Sequence, residues 1–304
     1  MNVVAGIDIG GTNTACGLVT DQGEVVSKDI LPTRSFMDAN SLVKAVSACI
    51  RQQIKDHPDS LLQGIGIGAP NANPYTGTVD YAPNLSWKGV VPLKKMFEEE
   101  LNLPTLITND AKAAALGEFR FGAARGLADF LVITLGTGLG SGLFANGQIV
   151  YGHDGFAGEL GHVIVEPQGR LCGCGRKGCL ETYCSATGIV RTYKELNPQA
   201  SENIDSKEIT KRALEGEEAA REAYRKTGEM LGFALANFTA VSSPSTIILF
   251  GGLVKAGELL LKPVRESFEE NLLPIYRGKI SIKISELHES DAALLGAGSL
   301  LFEN

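Results

Sequence analysis

Three cysteines and one histidine are concentrated in one short part of the sequence. His162 is followed by a C-x-C-x4-C pattern formed by Cys172, Cys174 and Cys179. These residue types, at this close spacing, are the ligands that zinc prefers in tetrahedral sites. The alternative is a group of core cysteines beside an unrelated histidine, and the glycines interleaved with the cysteines favour a metal loop over it. Four protein ligands leave no open position, so we expect a structural zinc that stabilises the loop and does not activate water.

Two glutamates stand at the ends of this segment, which we call the zinc loop (residues 158–181). A bound zinc would hold Glu159 and Glu181 in fixed orientations. One imidazole nitrogen of His162 would bind the metal, and the other would remain as a fixed N–H donor. Carboxylates beside such a donor are suited to the vicinal hydroxyls of a sugar. The alternative for either glutamate, taken singly, is a solvated surface charge.

Glycine-rich corners follow three apolar runs that are expected to be strands. We call DIGGT (residues 8–12) the first corner, LGTGL (residues 135–139) the second and FGG (residues 250–252) the third. Glycine offers its backbone N–H without an obstructing Cβ, and this suits phosphate oxygens. Each corner alone could be only a tight turn. Neither the P-loop spacing nor a dinucleotide-binding G-x-G-x-x-G in the right strand–helix order is present.

The first two corners belong to an internal repeat. Residues 3–26 and 131–150 each read as strand, glycine corner, strand, tight turn and strand. One such unit cannot bury its own apolar face, so we expect each copy to form the centre of its own lobe, with a cleft between the lobes. Helices are predicted over residues 41–55 and 93–101, and a buried strand ends in the stretch GIGIGAP at residues 64–70.

Asp110 is the candidate general base. The stretch PTLITNDAKAAALGE places Asn109 and Asp110 at the end of a strand and the start of an alanine-rich helix. The structural alternative is that Asp110 is an N-cap and nothing more. In a two-lobed phosphate binder, however, a carboxylate at the C-terminal end of a strand is where a phosphotransferase keeps the group that accepts the acceptor hydroxyl's proton.

Length and composition limit the classes of function. The 304 residues allow two lobes, and the net charge of −7 without a basic stripe argues against a nucleic-acid partner. The sequence has no signal-peptide pattern and no apolar run long enough to span a membrane. Six sparse cysteines suit a reducing compartment. We therefore expect a cytoplasmic protein without a membrane partner.

The motifs together resemble those of the ROK family (repressors, open reading frames and kinases), and the resemblance covers essentially the whole chain. It rests on DIGGTNT, TNDAKAAALGE, LGTGLGSG, GELGH, CGCGRKGCLE and FGGLVKAG, in this order. It implies an α/β, two-lobed fold of the hexokinase/actin-like ATPase (ribonuclease H-like) type with an interdomain cleft. The implied lobes are residues 1–118, joined by a returning C-terminal helix (291–304), and residues 119–290, which carry the zinc loop.

The resemblance also implies a role for each candidate residue, with Asp110 as the general base of an ATP-dependent sugar kinase. The residues implied to bind sugar hydroxyls are Asn84, Asn109, Asp110, Glu159, His162 and Glu181. The residues implied to bind ATP and its Mg²⁺ are Asp8, Gly10, Gly11, Thr12, Asn13, Thr137, Gly138, Gly251 and Gly252. The implied ligands of the structural Zn²⁺ are His162, Cys172, Cys174 and Cys179. Asn13 departs from the residue that many relatives carry, so only a nucleotide contact is expected of it.

The resemblance favours glucose as the sugar and leaves other hexoses as alternatives. The C-x-C spacing and the stretch CLETYCSATGIVR are similar to the branch that phosphorylates the 6-hydroxyl of glucose. Kinases for N-acetylglucosamine and N-acetylmannosamine share nearly all of these motifs. A non-enzymatic, sugar-sensing regulator is the alternative from another class. The first corner begins at Asp8, where we expect no room for a preceding DNA-binding domain, and this favours the enzyme. A homodimer or a higher homo-oligomer is also implied.

Overall fold

The structure is a computed structural model that describes residues 1–302, without the side chains of residues 289 and 290. Contacts along the chain divide it into two compact units. Unit 1 contains residues 1–126, 149–157 and 286–302, and unit 2 contains residues 127–148 and 158–285. Unit 1 thus includes residues 119–126, 149–157 and 286–290, which the predicted lobes assign to the second lobe. Residues 303 and 304 of the predicted C-terminal helix lie outside the described residues.

Unit 1 has a five-stranded sheet of order β3-β2-β1-β4-β8 and a small three-stranded sheet of order β5-β6-β7. Its elements are β1 (Asn2–Ile9), β2 (Asn13–Val19), β3 (Val25–Pro32), α1 (Ala39–Asp56), β4 (Leu61–Gly68), β5 (Ala72–Asn73), β6 (Thr78–Asp80), β7 (Val90–Val91), α2 (Leu93–Leu101), β8 (Thr105–Thr108), α3 (Asp110–Phe121) and, from the end of the chain, α9 (Glu289–Gly298). The predicted helices at 41–55 and 93–101 are confirmed. Strand β1 pairs antiparallel with β2 and parallel with β4, and β4 pairs parallel with β8.

Helix α1 forms because a capped, amphipathic segment can bury one face on the sheet. Asp38 caps it by accepting a hydrogen bond from the Ser41 backbone N–H at 2.8 Å. Leu42, Val46 and Ile50 recur at helical spacing and are fully buried. They join the core that lies between α1 and one face of the large sheet.

Helix α9 lies directly on the opposite face because glycines on the strands leave room for it. A Cβ at Gly66 of β4 would lie 1.9 Å from the Ala297 carbonyl oxygen, and one at Gly6 of β1 would lie 2.3 Å from the Leu294 carbonyl oxygen. Both distances are far shorter than a van der Waals contact. The strand glycines thus let α9 approach the sheet closely. The predicted C-terminal helix (291–304) is present from its start, but α9 ends at Gly298 and residues 299–302 are not helical.

Unit 2 has a five-stranded sheet of order β11-β10-β9-β12-β13. Its elements are β9 (Phe130–Leu135), β10 (Leu139–Ala145), β11 (Gln148–Ile149), α4 (Glu181–Cys184), α5 (Ala186–Leu196), α6 (Ser206–Glu215), α7 (Glu218–Ser242), β12 (Thr246–Phe250), α8 (Glu258–Asn271) and β13 (Ser281–Ile284). Helices α5, α7 and α8 bury apolar residues in its core. Cys184 lies in this core, and its thiol donates to the Thr227 carbonyl oxygen at 3.4 Å.

The two sheets repeat one arrangement. Each begins with three antiparallel strands in a meander, β1-β2-β3 or β9-β10-β11, and continues through parallel strands on the other side of its first strand. The predicted internal repeat and the α/β fold class are therefore confirmed. In each sheet the carboxyl ends of the parallel strands meet at one edge, which is where ligands bind in such sheets.

Among residues 1–302, no helix is both long enough and apolar enough to cross a lipid bilayer.

Candidate active site and metal centre

The four predicted zinc ligands lie together in unit 2. The ligand atoms of His162, Cys172, Cys174 and Cys179 are all within 4.8 Å of one another. The His162 Nδ1 lies 3.6 Å from the Cys172 Sγ, and the Cys174 and Cys179 sulfur atoms are also 3.6 Å apart. Tetrahedral zinc with Zn–S bonds of about 2.3 Å separates its sulfur ligands by about 3.8 Å. The donor set and its spacing therefore fit a zinc ion, with Nδ1 as the histidine ligand.

Tight turns bring the three cysteines together. The Cys172 backbone N–H donates to the Arg176 carbonyl oxygen at 2.8 Å, and the Gly175 N–H donates to the Cys172 carbonyl oxygen at 3.0 Å. Gly175 has a φ of +87°, which favours glycine there. Although burial raises the pKa of the Cys174 thiol, hydrogen bonds from the Arg176 backbone and guanidinium group outweigh it and lower that pKa to about 6. A thiolate is thereby favoured where a metal ligand is predicted.

Arg170 holds the zinc loop to the following helices, and the sequence reasoning missed it. Its guanidinium group donates to the Thr182 carbonyl oxygen at 2.7 Å and, through Nε and Nη2, to both carboxylate oxygens of Glu195 at 3.0 and 2.6 Å. It also lies 4.5 Å from the centre of the Tyr183 ring. Only 14% of the side chain is exposed. Nothing in the stretch PQGR signals this role, because the partners come from other elements.

The two glutamates of the zinc loop have different surroundings. Glu159 is exposed and precedes the short turn that carries His162, whose backbone N–H donates to the Glu159 carbonyl oxygen at 3.1 Å. Glu181 is half-buried and begins α4. Its Oε2 accepts from the Leu139 N–H in the second corner at 3.0 Å, and its Oε1 lies 3.7 Å from the Cys172 Sγ. Glu181 thus contacts both a predicted zinc ligand and a predicted phosphate corner.

The second and third corners lie at the same edge of the unit 2 sheet, because β9 and β12 are parallel neighbours. The second corner is closed by a hydrogen bond from the Gly136 N–H to the Gly138 carbonyl oxygen at 3.0 Å. In the third corner, Gly251 has a φ of +109°, and a Cβ there would lie 2.6 Å from the Leu135 carbonyl oxygen. Thr137 and Gly252 are exposed. The structure therefore brings these two predicted nucleotide-binding corners together.

The first corner and Asn84 lie together in unit 1. The corner is closed by a hydrogen bond from the Gly10 N–H to the Asn13 carbonyl oxygen at 2.9 Å. A Cβ at Gly11 would lie 2.7 Å from the Asn84 carbonyl oxygen, so only glycine allows this close approach. Thr12, Asn13 and Asn84 are exposed. No pattern in PNLSW pointed to this neighbourhood, and Asn84 was indicated by the family resemblance alone.

Asp110 is held by the start of α3, and its neighbour is the helix cap. The Asn109 side chain accepts from the Ala111 and Lys112 backbone N–H groups at 2.9 and 3.4 Å, so Asn109 is the N-cap. The alternative assignment of Asp110 as the cap is therefore wrong. Asp110 is the first helical residue, and its Oδ1 accepts from the Ala111 N–H at 2.8 Å. The carboxylate is oriented by this bond and remains accessible to solvent.

Two acidic groups face each other at the carboxyl edge of the unit 1 sheet. A Cβ at Gly68 would lie 3.7 Å from both the Asp8 Oδ1 and the Asp110 Cα. Burial raises the pKa of Asp8 to about 7, and the negative charge of Asp110 adds to the rise. Desolvation by the surrounding protein raises the pKa of Asp110 as well, although the hydrogen bond from the Ala111 N–H and the positive charge of Lys112 lower it. Lys112 is buried, and the sequence reasoning did not single it out.

The sequence of this chain matches one known protein family along nearly its whole length. The model of the ROK family matches residues 4–304. The chain belongs to the ROK family. Its relatives in the family include the glucokinase of Halalkalibacterium halodurans, which is 38% identical over 97% of this chain and 94% of its own length. The N-acetylmannosamine kinase of Escherichia fergusonii is 30% identical over 97% of this chain and 96% of its own length.

Among solved structures, a ROK family glucokinase from Streptomyces griseus in complex with glucose and AMPPNP is similar to this chain. Its TM-score is 0.85 at 35% sequence identity, with 98% of each chain covered. The ROK family resemblance that the sequence motifs indicated is therefore confirmed. The predicted actin-like ATPase fold is confirmed with it.

Proposed function

We propose that this chain is an ATP-dependent hexose kinase that transfers the γ-phosphoryl group of ATP to the 6-hydroxyl of glucose. The observation that carries the proposal is the likeness, along nearly the whole chain, to a ROK glucokinase whose structure holds glucose and an ATP analogue. The 38% identity to a second glucokinase supports the same activity. The orientation of Asp110 at the carboxyl edge of its sheet supports the reaction type.

Asp110 accepts the proton of the 6-hydroxyl as the phosphoryl group is transferred. Its orientation by the Ala111 N–H fixes the carboxylate before the sugar arrives. Asn84, Asn109, Glu159, His162 and Glu181 bind the sugar hydroxyls. His162 has Nδ1 turned to the thiols, which leaves Nε2 as the N–H donor.

The glycine corners bind ATP. Backbone N–H groups of the first and second corners bind phosphate oxygens, and the third corner lies beside the adenosine. Asp8 would lie near the magnesium ion that accompanies the nucleotide, and its carboxylate, close to that of Asp110, suits a divalent cation. Bound Mg²⁺ would neutralise charge on the phosphates, and bound Zn²⁺ would link the ligands of the zinc loop.

A kinase for N-acetylmannosamine, N-acetylglucosamine or another hexose is the second candidate. The 30% identity to an N-acetylmannosamine kinase favours keeping it. Selection among hexoses would depend on two segments of unit 1 that contact each other, residues 68–75 and residues 151–156. The Asn73 side chain donates to the Asp154 carbonyl oxygen at 2.8 Å, and the Tyr75 hydroxyl donates to the Gly152 carbonyl oxygen at 2.9 Å.

The test is a coupled ADP-release assay on the purified protein with Mg·ATP. Glucose, N-acetylglucosamine, N-acetylmannosamine, mannose and fructose are compared by kcat/KM, and a reaction without sugar is the control. We expect ADP release to depend on sugar and to be most efficient with glucose. A higher kcat/KM for another hexose would change the substrate and keep the kinase. If no sugar stimulates ADP release, the enzyme assignment is wrong, and a non-enzymatic sugar sensor becomes the better account.

A further inference from the structure

The segment that leaves the zinc loop is hydrogen-bonded to three residues of the second corner. The Leu139 N–H donates to the Glu181 Oε2 at 3.0 Å. The Ala186 N–H donates to the Gly136 carbonyl oxygen at 2.8 Å, and the Thr187 hydroxyl donates to the Thr137 carbonyl oxygen at 3.0 Å. Residues 181–187, which we call the bracing segment, therefore hold the corner at Gly136, Thr137 and Leu139. All of these residues belong to unit 2.

The bracing segment is itself fixed from inside. The Ser185 side chain is fully buried, and its hydroxyl lies 2.7 Å from the Glu181 carbonyl oxygen and 2.9 Å from the Thr187 hydroxyl. The Ser185 oxygen also accepts from the Gly188 N–H at 3.0 Å and so caps α5. The close contact with the buried Ser185 oxygen limits the rotation of the Thr187 side chain.

Holding the carbonyl groups of the corner also directs its N–H groups. A peptide bond is planar, and in the trans form its C=O and N–H point in opposite directions. No peptide bond among the described residues is cis. Because Ala186 and Thr187 hold the carbonyl groups of Gly136 and Thr137, the N–H groups of Thr137 and Gly138 point away from α5. Those two N–H groups are the ones that the proposed function assigns to phosphate oxygens.

Gly138 also leaves the space that Glu181 occupies. A Cβ at Gly138 would lie 2.3 Å from the Glu181 Oε2, so a side chain there would push the carboxylate off the Leu139 N–H. The other carboxylate oxygen, Oε1, lies 3.7 Å from the Cys172 Sγ. A continuous line of contacts thus runs from a zinc ligand through Glu181 to the second corner.

We propose that the bracing segment sets the direction of the phosphate-binding N–H groups, so that Thr187 and Glu181 are positioning residues for the nucleotide and the zinc loop serves both substrates. The inference rests on the proposed function, because it takes the second corner to bind ATP. It goes beyond that function by giving Thr187 a role and by extending the influence of zinc from the sugar to the nucleotide. It predicts that nucleotide affinity depends on the bracing segment even when no sugar is present.

The test is isothermal titration calorimetry of Mg·AMPPNP into zinc-loaded protein without sugar. Thr187→Val removes the hydroxyl at nearly constant size, and we expect it to raise the Kd for the nucleotide about threefold to tenfold, the usual worth of one hydrogen bond. Thr187→Ser keeps the hydroxyl and is expected to stay within about twofold of the wild type. Thr210→Val is the matched control, because Thr210 makes a similar hydroxyl bond to the Ser206 carbonyl oxygen away from the corner. The Kd for glucose should stay unchanged in all three variants.

A second pair of measurements tests the contacts of Glu181 with Gly138 and with the predicted zinc ligand Cys172. Gly138→Ala is expected to raise the Kd values for both Mg·AMPPNP and glucose, because it displaces Glu181. Removal of zinc by a chelator is expected to raise the Kd for Mg·AMPPNP in the absence of sugar. Equal nucleotide affinity for the wild type, Thr187→Val and the zinc-free protein would overturn the inference and leave the kinase assignment intact. If the zinc-loaded wild type itself does not bind Mg·AMPPNP, the proposed function fails, and the inference falls with it.

Discussion

At the scale of single residues, the neighbours Asn109 and Asp110 have different functions: one caps the helix and the other is the proposed base. Asn109 caps α3 by accepting from the Ala111 and Lys112 N–H groups, whereas Asp110 is exposed and accepts from the Ala111 N–H. The residue types and their place after a strand were enough to predict a base at Asp110. They could not show that its neighbour caps the helix, because either side chain suits that position.

The raised pKa of Asp110 has a consequence for the pH dependence of the reaction. Only the deprotonated carboxylate can accept a proton, so activity must fall as the pH drops through the pKa of Asp110. Surrounding protein raises this pKa above the ordinary 3.8. We therefore expect the acidic limb of the profile of kcat/KM against pH to have its midpoint above 3.8. A profile that stays flat down to pH 4 would contradict the assigned role of the carboxylate.

At the scale of elements, the parallel strands of each sheet bring distant residues to one edge. Asp8 lies near the end of β1, Gly68 ends β4 and Asp110 follows β8, and the order β1-β4-β8 makes them neighbours. The repeat of strand, corner and strand made this part of the fold predictable. Arg170 and Thr187 could not be predicted, because their roles depend on contacts with elements that are remote in sequence.

The packing of α9 on the sheet can be tested at one glycine. Gly66→Ala places a methyl group where the Ala297 carbonyl oxygen leaves no room, so either α9 or β4 must shift. We expect the free energy of unfolding to fall by about 1–3 kcal/mol, the usual cost of overpacking, measured by urea denaturation. Gly173→Ala is the control, since no atom lies within 4 Å of the position of its Cβ. Equal stability of the two variants would show that α9 does not pack as described.

At the scale of the whole molecule, the zinc loop is expected to contribute to stability. Its four ligands come from a segment with little regular structure, and Arg170 holds it to α5. Chelation or Cys174→Ala should therefore lower Tm by more than about 5 °C, because a structural zinc contributes several kcal/mol. Atomic emission should find one zinc per chain in the wild type and in Cys49→Ala, a control outside the loop. A zinc-free wild type with an unchanged Tm would show that no structural metal is needed.

The central claim is that Asp110 is the base of a sugar kinase, and the most direct measurement compares Asp110→Asn with the wild type. The substitution keeps the size and the hydrogen bond from the Ala111 N–H but removes the basic oxygen. We predict a fall in kcat for glucose phosphorylation of about 10²–10⁴-fold. The Kd for glucose, measured by calorimetry, should change by less than about tenfold. Asp21→Asn, at an exposed turn, should match the wild type. An unchanged kcat in Asp110→Asn would contradict the account.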